Sequence, residues 1–162
     1  MTGRIALARR KLASAWRLGG RRGLLVAEAS ILLLGARIAV AALPFRRVAR
    51  WLGTPVSPGA LVPPAPRERP DDAATMVSWA VRFAAGRLPV EAVCLPQAIA
   101  ARAMLKRRGI AATLHLGVWR DHRDAVKIDP ETPPAHAWLD ASGQRITGYP
   151  VDPALVEVAA FV

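Results

Sequence analysis

Six prolines fall within the seventeen residues Thr54–Pro70, and no other stretch limits the fold so strongly. Each proline fixes its own φ, lacks an N–H and biases the residue before it away from the helix. Regular structure of any kind is therefore not expected across this stretch, which reads as a loop or linker. The chain divides on that reading into a basic N-terminal helical region (1–53), a proline-rich linker (54–70) and a C-terminal core (71–162).

The two sides of the linker differ in charge. Residues 1–50 carry eleven Lys and Arg and a single acid, Glu28, whereas residues 51–162 carry twelve Lys and Arg against eleven acids. The net charge of +11 thus belongs to an arm. Such an arm suits an acidic peptide, an acidic partner protein, RNA or an anionic membrane. With only four aromatics besides Trp and no aromatic–basic stacking pattern, there is no specific nucleic-acid signal. Within the arm, Ile5–Leu18 has the spacing of a basic amphipathic helix ended by Gly19 and Gly20. Leu24–Leu43 is a long apolar helix stopped by Pro44, and Arg46–Leu52 is a short helix stopped by Gly53. Glu28 and Arg37 interrupt the apolar stretch, and its longest charge-free run, Ala29–Ala36, is eight residues. A spanning helix wants about 20 mainly apolar residues. The expectation is a soluble, mostly buried helix, with membrane-surface contact through the basic arm as a further partner. A membrane anchor over Leu24–Leu43 is the competing reading. Arginines occupy the place of a signal peptide's apolar run, so a cytoplasmic location is expected, where a lone thiol stays reduced.

Beyond the linker, Asp71 and Asp72 are N-cap residues for a helix running to about Ala85 and ended by Gly86. Its Met76, Trp79, Ala80 and Phe83 have the spacing of a buried face. Pro96 fits the first turn of a second helix, which ends in Lys106-Arg107-Arg108-Gly109. Cys94 therefore stands at a helix N-terminus. The period then changes to two. Ala112–Trp119 is a strand, Asp121–Asp124 a polar turn, Ala125–Ile128 a short strand and Asp129–Pro134 a loop. Ala135–Ala141 and Gln144–Thr147 are strands joined by a tight Ser142-Gly143 turn. The fold class is α+β: N-terminal helices, then a cysteine-bearing helix packed on an antiparallel sheet. A chain of 162 residues buries a core without disulfides, and its one cysteine excludes an internal disulfide or a multi-cysteine zinc site.

Two residues stand out chemically. A thiolate at a helix N-terminus is stabilised by unpaired N–H groups and the helix dipole, so Cys94 is a candidate nucleophile, or else a common core residue. His136 shares a strand face with Trp138 and Asp140; it is a candidate base, or else a core or surface histidine. Asp140 lies about 13 Å along the strand, too far to orient His136. Across a two-residue turn it would pair with Arg145 at the surface, and His136 would lie opposite Tyr149. Asp152 reaches His136 only if the chain bends after Pro150. His115 and His122 are further bases that nothing places near the thiol. Three dispersed histidines and one cysteine make no metal site, and no phosphate-binding loop is present.

The ordered segments Cys94-Leu95-Pro96-Gln97-Ala98, Leu105–Ile110, Leu114-His115-Leu116-Gly117-Val118 and Ala135-His136-Ala137-Trp138-Leu139 resemble the transglutaminase-like cysteine peptidases of lasso-peptide biosynthesis. The resemblance covers roughly residues 70–150. It implies a papain-like core with Cys94 as nucleophile and His136 as base. The family's acid lies about twelve residues after the histidine, where this chain has Gly148. Either Asp152 takes its place through a local shift, or a backbone carbonyl or other polar group orients His136. The N–H groups of Cys94 and Leu95 are the oxyanion donors of this scheme, and no cofactor is implied. The absence of a strand-rich domain before the core resembles the split form. Its partners are the precursor's leader peptide, a separate leader-recognition protein and an ATP-dependent cyclase. The alternatives are a transglutaminase-like acyltransferase or peptidase on another peptide, and a non-catalytic binding module using the basic arm.

Overall fold

The computed structural model describes residues 20–57, 71–88, 93–119 and 135–162. The expected helix Ile5–Leu18, residues 58–70, His122 and the segments expected over 121–134 lie outside them. Among the described residues four helices and five strands follow in order: α1 (Gly20–Ala42), α2 (Phe45–Leu52), β1 (Pro55–Val56), α3 (Asp72–Ala85), α4 (Cys94–Lys106), β2 (Ala112–Trp119), β3 (Ala135–Ala141), β4 (Gln144–Thr147) and β5 (Leu155–Phe161). The sheet is antiparallel throughout, in the order β1-β5-β2-β3-β4. Helices α3 and α4 pack on it through one core, in which Val77, Val81, Ala98, Ala101 and Met104 meet Leu114, Leu139 and Ile146.

Three expectations about the N-terminal half are corrected. The first concerns the proline-rich stretch, which contains β1: Pro55 and Val56 pair with Phe161 and Ala160. Proline is tolerated there because β1 is the sheet's edge, where an N–H facing outward is not needed. The second concerns α1, which starts at Gly20, earlier than Leu24. The third concerns its burial. Only Leu25, Val26, Ala29, Leu33 and Ala36 are buried, while Leu24, Ile31 and Ile38 are 74%, 70% and 65% exposed. By length and composition α1 is also sufficient to cross a membrane. Its inner face nonetheless shares the core of α3 and α4, so the apolar core runs across the proline-rich boundary. Glu28 faces neither Arg37 nor open solvent. It is clamped by Arg107 at 3.1 Å and Arg108 at 2.7 Å, beyond the end of α4. The Arg108 hydrogen bond outweighs partial burial and holds the Glu28 carboxyl below its ordinary range.

The hairpin that carries the histidine is fastened to α3. Asp71 caps α3, accepting from the N–H groups of Ala73 at 2.9 Å and Ala74 at 3.1 Å. Its other oxygen accepts from the Ser142 hydroxyl in the β3–β4 turn, and the Ser78 hydroxyl donates to the Ile146 carbonyl at 2.6 Å. Replacing Asp71 with Ala removes a cap and a tertiary bond together. The expected loss is about 1–2 kcal/mol. It is read as a lower urea midpoint at unchanged slope; an unchanged midpoint refutes the fastening.

Candidate active site

The thiol is set by α4. Pro96 occupies the first turn, as its missing N–H permits, and Cys94 is the first helical residue. The preceding Val93 supplies no side-chain cap, so no side chain competes for the N–H groups at this end. The half-buried Cys94 Sγ meets the His136 imidazole and the N–H groups of Ala137 and Leu95. The Ala137 N–H is free to do so because β4 last pairs with β3 at Leu139–Thr147, which opens the edge of β3 at residues 135–138. Burial pushes the thiol up. The His136 hydrogen bond and the two backbone donors outweigh it, and the net shift is downward. His136 is raised, first by its bond to Cys94, then, against partial burial, by Gly148. The two shifts together favour a thiolate–imidazolium pair.

The third member is a backbone group. His136 Nε2 lies 2.6 Å from the carbonyl oxygen of Gly148. A carbonyl only accepts, so Nε2 carries the proton, and Nδ1 is the nitrogen left for the thiol. Asp152 is placed elsewhere: its carboxylate accepts from the Ala154 N–H at 2.8 Å, in the turn before β5. Of the two alternatives offered by the sequence, the carbonyl is the one in contact. Gly148 is suited to the position by more than its lack of charge. Its φ is +82°, and a Cβ there would lie 2.3 Å from the Ala137 carbonyl oxygen and 2.7 Å from the Trp138 Cα.

A one-residue shift in the hairpin explains why the carbonyl arrives there. Asp140 pairs with Arg145 as expected, but the register slips between Leu139 and Asp140, so Leu139 faces Thr147 instead of Ile146. Tyr149 consequently does not lie opposite His136. Its hydroxyl donates to Asp140, 2.7 Å from Oδ1 and 2.8 Å from Oδ2. The expected Asp140–Arg145 ion pair is replaced by this bond, and the Arg145 guanidinium lies 5.0 Å from the centre of the Tyr149 ring. Burial, then the bond to Asp140, pushes the phenol up.

His115 is nearer the site than its place in the sequence shows. Its Nδ1–H donates to Glu157 at 2.8 Å, and its Nε2 is 3.5 Å from Asp140. The Trp138 ring is stacked with both imidazoles, 5.3 Å from His115 and 6.2 Å from His136. Gly117 gives that ring its room, since a Cβ there would lie 2.8 Å from Trp138 Cζ3. Tyr149, Asp140, His115 and Glu157 thus form a chain of contacts behind the orienting loop. Sequence spacing hid it because Glu157 belongs to β5, a strand whose Leu155-Val156-Glu157-Val158 start shows no clean alternation. Among the described residues no group of His, Cys, Asp or Glu is arranged to hold a metal ion.

A helix-borne thiolate facing a strand-borne imidazole whose far nitrogen is fixed can attack a carbonyl and protonate a leaving amine. The first expectation is kinetic. Alkylation of Cys94 by iodoacetamide stays fast below pH 8.5, where an ordinary thiol fades, and falls only as pH drops through the lowered thiol pKa. A rate that halves near pH 8.5 refutes the pairing. Compared with known proteins, residues 39–159 match the family model described as the transglutaminase-like superfamily. No curated protein and no solved structure matches the chain.

Proposed function

Because the chain belongs to the transglutaminase-like superfamily, whose core it carries over residues 39–159, we propose that it is a cysteine peptidase. On this reading it removes the leader peptide from a ribosomally made lasso-peptide precursor. The observation that supports thiol chemistry is the contact of Cys94 with His136, whose Nε2 is fixed by Gly148. The resemblance of the four sequence segments supports the substrate. In the reaction, Sγ bonds to the carbonyl carbon that joins leader and core. The Cys94 N–H, at the start of α4, stabilises the oxyanion; the Leu95 N–H, which lies on the sulfur in the resting state, joins it as the sulfur gives up its charge. The carbon–nitrogen bond breaks, and imidazolium Nδ1 gives its proton to the departing core amine. Water, losing a proton to Nδ1, then hydrolyses the thioester and releases the leader as a carboxylate. The freed amine serves macrolactam closure by a separate ATP-dependent cyclase. A separate leader-recognition protein delivers the precursor, no cofactor takes part, and the work is cytoplasmic.

The test is mass spectrometry of a lasso-type precursor incubated with the protein or with Cys94→Ala. A leader-recognition protein is present in half the reactions, and a primary amine in a further set. Leader acid and core fragments that require Cys94 support the peptidase. A leader carrying the added amine in place of the acid assigns an acyltransferase instead. Cleavage by Cys94→Ala, or none from a folded protein with a reactive thiol, refutes the proposal.

A further inference from the structure

The outer face of α1 has no role in the chemistry above. Between Gly23 and Ala42 every exposed residue is apolar or glycine: Leu24, Ala27, Ile31, Leu34, Gly35, Ile38, Ala41 and Ala42. Leu24, Ile31, Leu34 and Ile38 follow helical spacing, so they form one ridge along some 20 Å of helix. Burial of the opposite side is already complete through Leu25, Val26, Ala29, Leu33 and Ala36. A ridge of aliphatic side chains this long is uncommon on a surface that faces only water.

The charge around the ridge is of one sign. Helices α1 and α2 carry Arg21, Arg22, Arg37, Arg46, Arg47 and Arg50, and their single acid is Glu28. That acid is held by two further arginines, Arg107 and Arg108, so its edge of the ridge is net positive. Helix α2 adds Phe45 and Trp51, 53% and 59% exposed. The sequence leading into α1 brings Arg4, Arg9, Arg10, Lys11 and Arg17 and no acid. Arginine with exposed aliphatic and aromatic side chains suits a surface that is apolar inside and anionic outside. A nucleic acid would use the arginines and have no use for the ridge. A single partner helix would use the ridge but reach few of the arginines, which spread over both helices.

We propose that the outer face of α1, together with α2, is a docking surface for an anionic phospholipid bilayer, on which α1 lies in the plane of the membrane. The helix does not cross it, because crossing would strip its inner face from the core. Leu24, Ile31, Leu34 and Ile38 enter the boundary of the acyl chains, and the arginines engage phosphate headgroups.

The test is co-sedimentation of the full chain with phosphatidylcholine vesicles, with and without phosphatidylglycerol, in low and high salt. Binding is expected with phosphatidylglycerol and is expected to weaken with salt. Ile31→Glu with Ile38→Glu lowers the partition by more than about ten-fold. The triple change Arg46→Gln, Arg47→Gln and Arg50→Gln does likewise, by more than about ten-fold. Unchanged circular dichroism and an unchanged Cys94 alkylation profile show that these variants keep the fold. The proposal is overturned if wild type ignores the anionic vesicles or binds both kinds equally. It is also overturned if the glutamates leave binding intact, or if their main effect is to dissociate a dimer seen by sedimentation without lipid. Capture of an acidic amphipathic peptide in place of vesicles assigns the face to a partner helix.

Discussion

Replacing His136 with Ala is expected to move the alkylation midpoint of Cys94 upward and to lower turnover by about 10²–10⁴-fold. The direction follows from what surrounds the sulfur. Burial raises the thiol, and the imidazole hydrogen bond is the largest influence that lowers it. Without His136 only the Ala137 and Leu95 N–H groups oppose burial. The thiolate fraction at neutral pH falls, and the leaving amine loses its proton donor. Alkylation measured from pH 5 to 10 on both proteins separates the two losses, because it senses the thiolate without needing a substrate. An unmoved midpoint means that the backbone N–H groups alone activate the thiol and that His136 serves only as proton donor.

The second large effect comes from Gly148. Restoring a family-like acid by Gly148→Asp is expected to damage the site. The new Cβ meets the Ala137 carbonyl and the Trp138 backbone, and the φ of +82° is unfavourable for any side chain. Relief requires moving the loop, and with it the carbonyl that fixes His136. Gly148→Ala separates the steric effect from the charge. Both variants are expected to lose about 1–3 kcal/mol of stability. Both should also lose roughly ten- to hundred-fold in turnover, as His136 loses its orientation. Thermal melts and the alkylation profile measure the two losses. Higher activity in Gly148→Asp would show that the carbonyl does not orient the histidine and that a carboxylate there can.

Much of this was legible because local rules and tertiary fold agree. Asp71 and Gly86 bracket α3 as capping chemistry requires, and Pro96 sets the start of α4 with Cys94 on its first turn. Alternation marked β2 and β3, and Ser142-Gly143 marked the hairpin. The pairing of Cys94 with His136 followed from family likeness and a shared architecture. The rest depended on contacts that spacing does not encode. Strand β1 exists because β5 offers Pro55 an edge. Strand β5 itself was obscured by Pro150 and Pro153 and by its alanines. The orienting carbonyl depends on a single register slip, and a regular hairpin drawn from the same residues puts Tyr149 in the wrong place. Outward exposure of α1 was hidden for a different reason: an apolar helix looks the same in sequence whether one side or both are covered.

The order of strands has a bearing on biosynthesis. Strand β5, though later in the chain than the other four, lies between β1 and β2, so the sheet is closed by its most C-terminal strand. Pro55 finds Phe161 across roughly a hundred residues. A ribosome releases the thiol-bearing helix well before that strand emerges, and the histidine hairpin only about eight residues before it. Until then the outer edge of β2, from Leu114 to Trp119, has no neighbour. The nascent chain must shield that edge, or borrow a chaperone's cover, before its reactive cysteine acquires a finished scaffold.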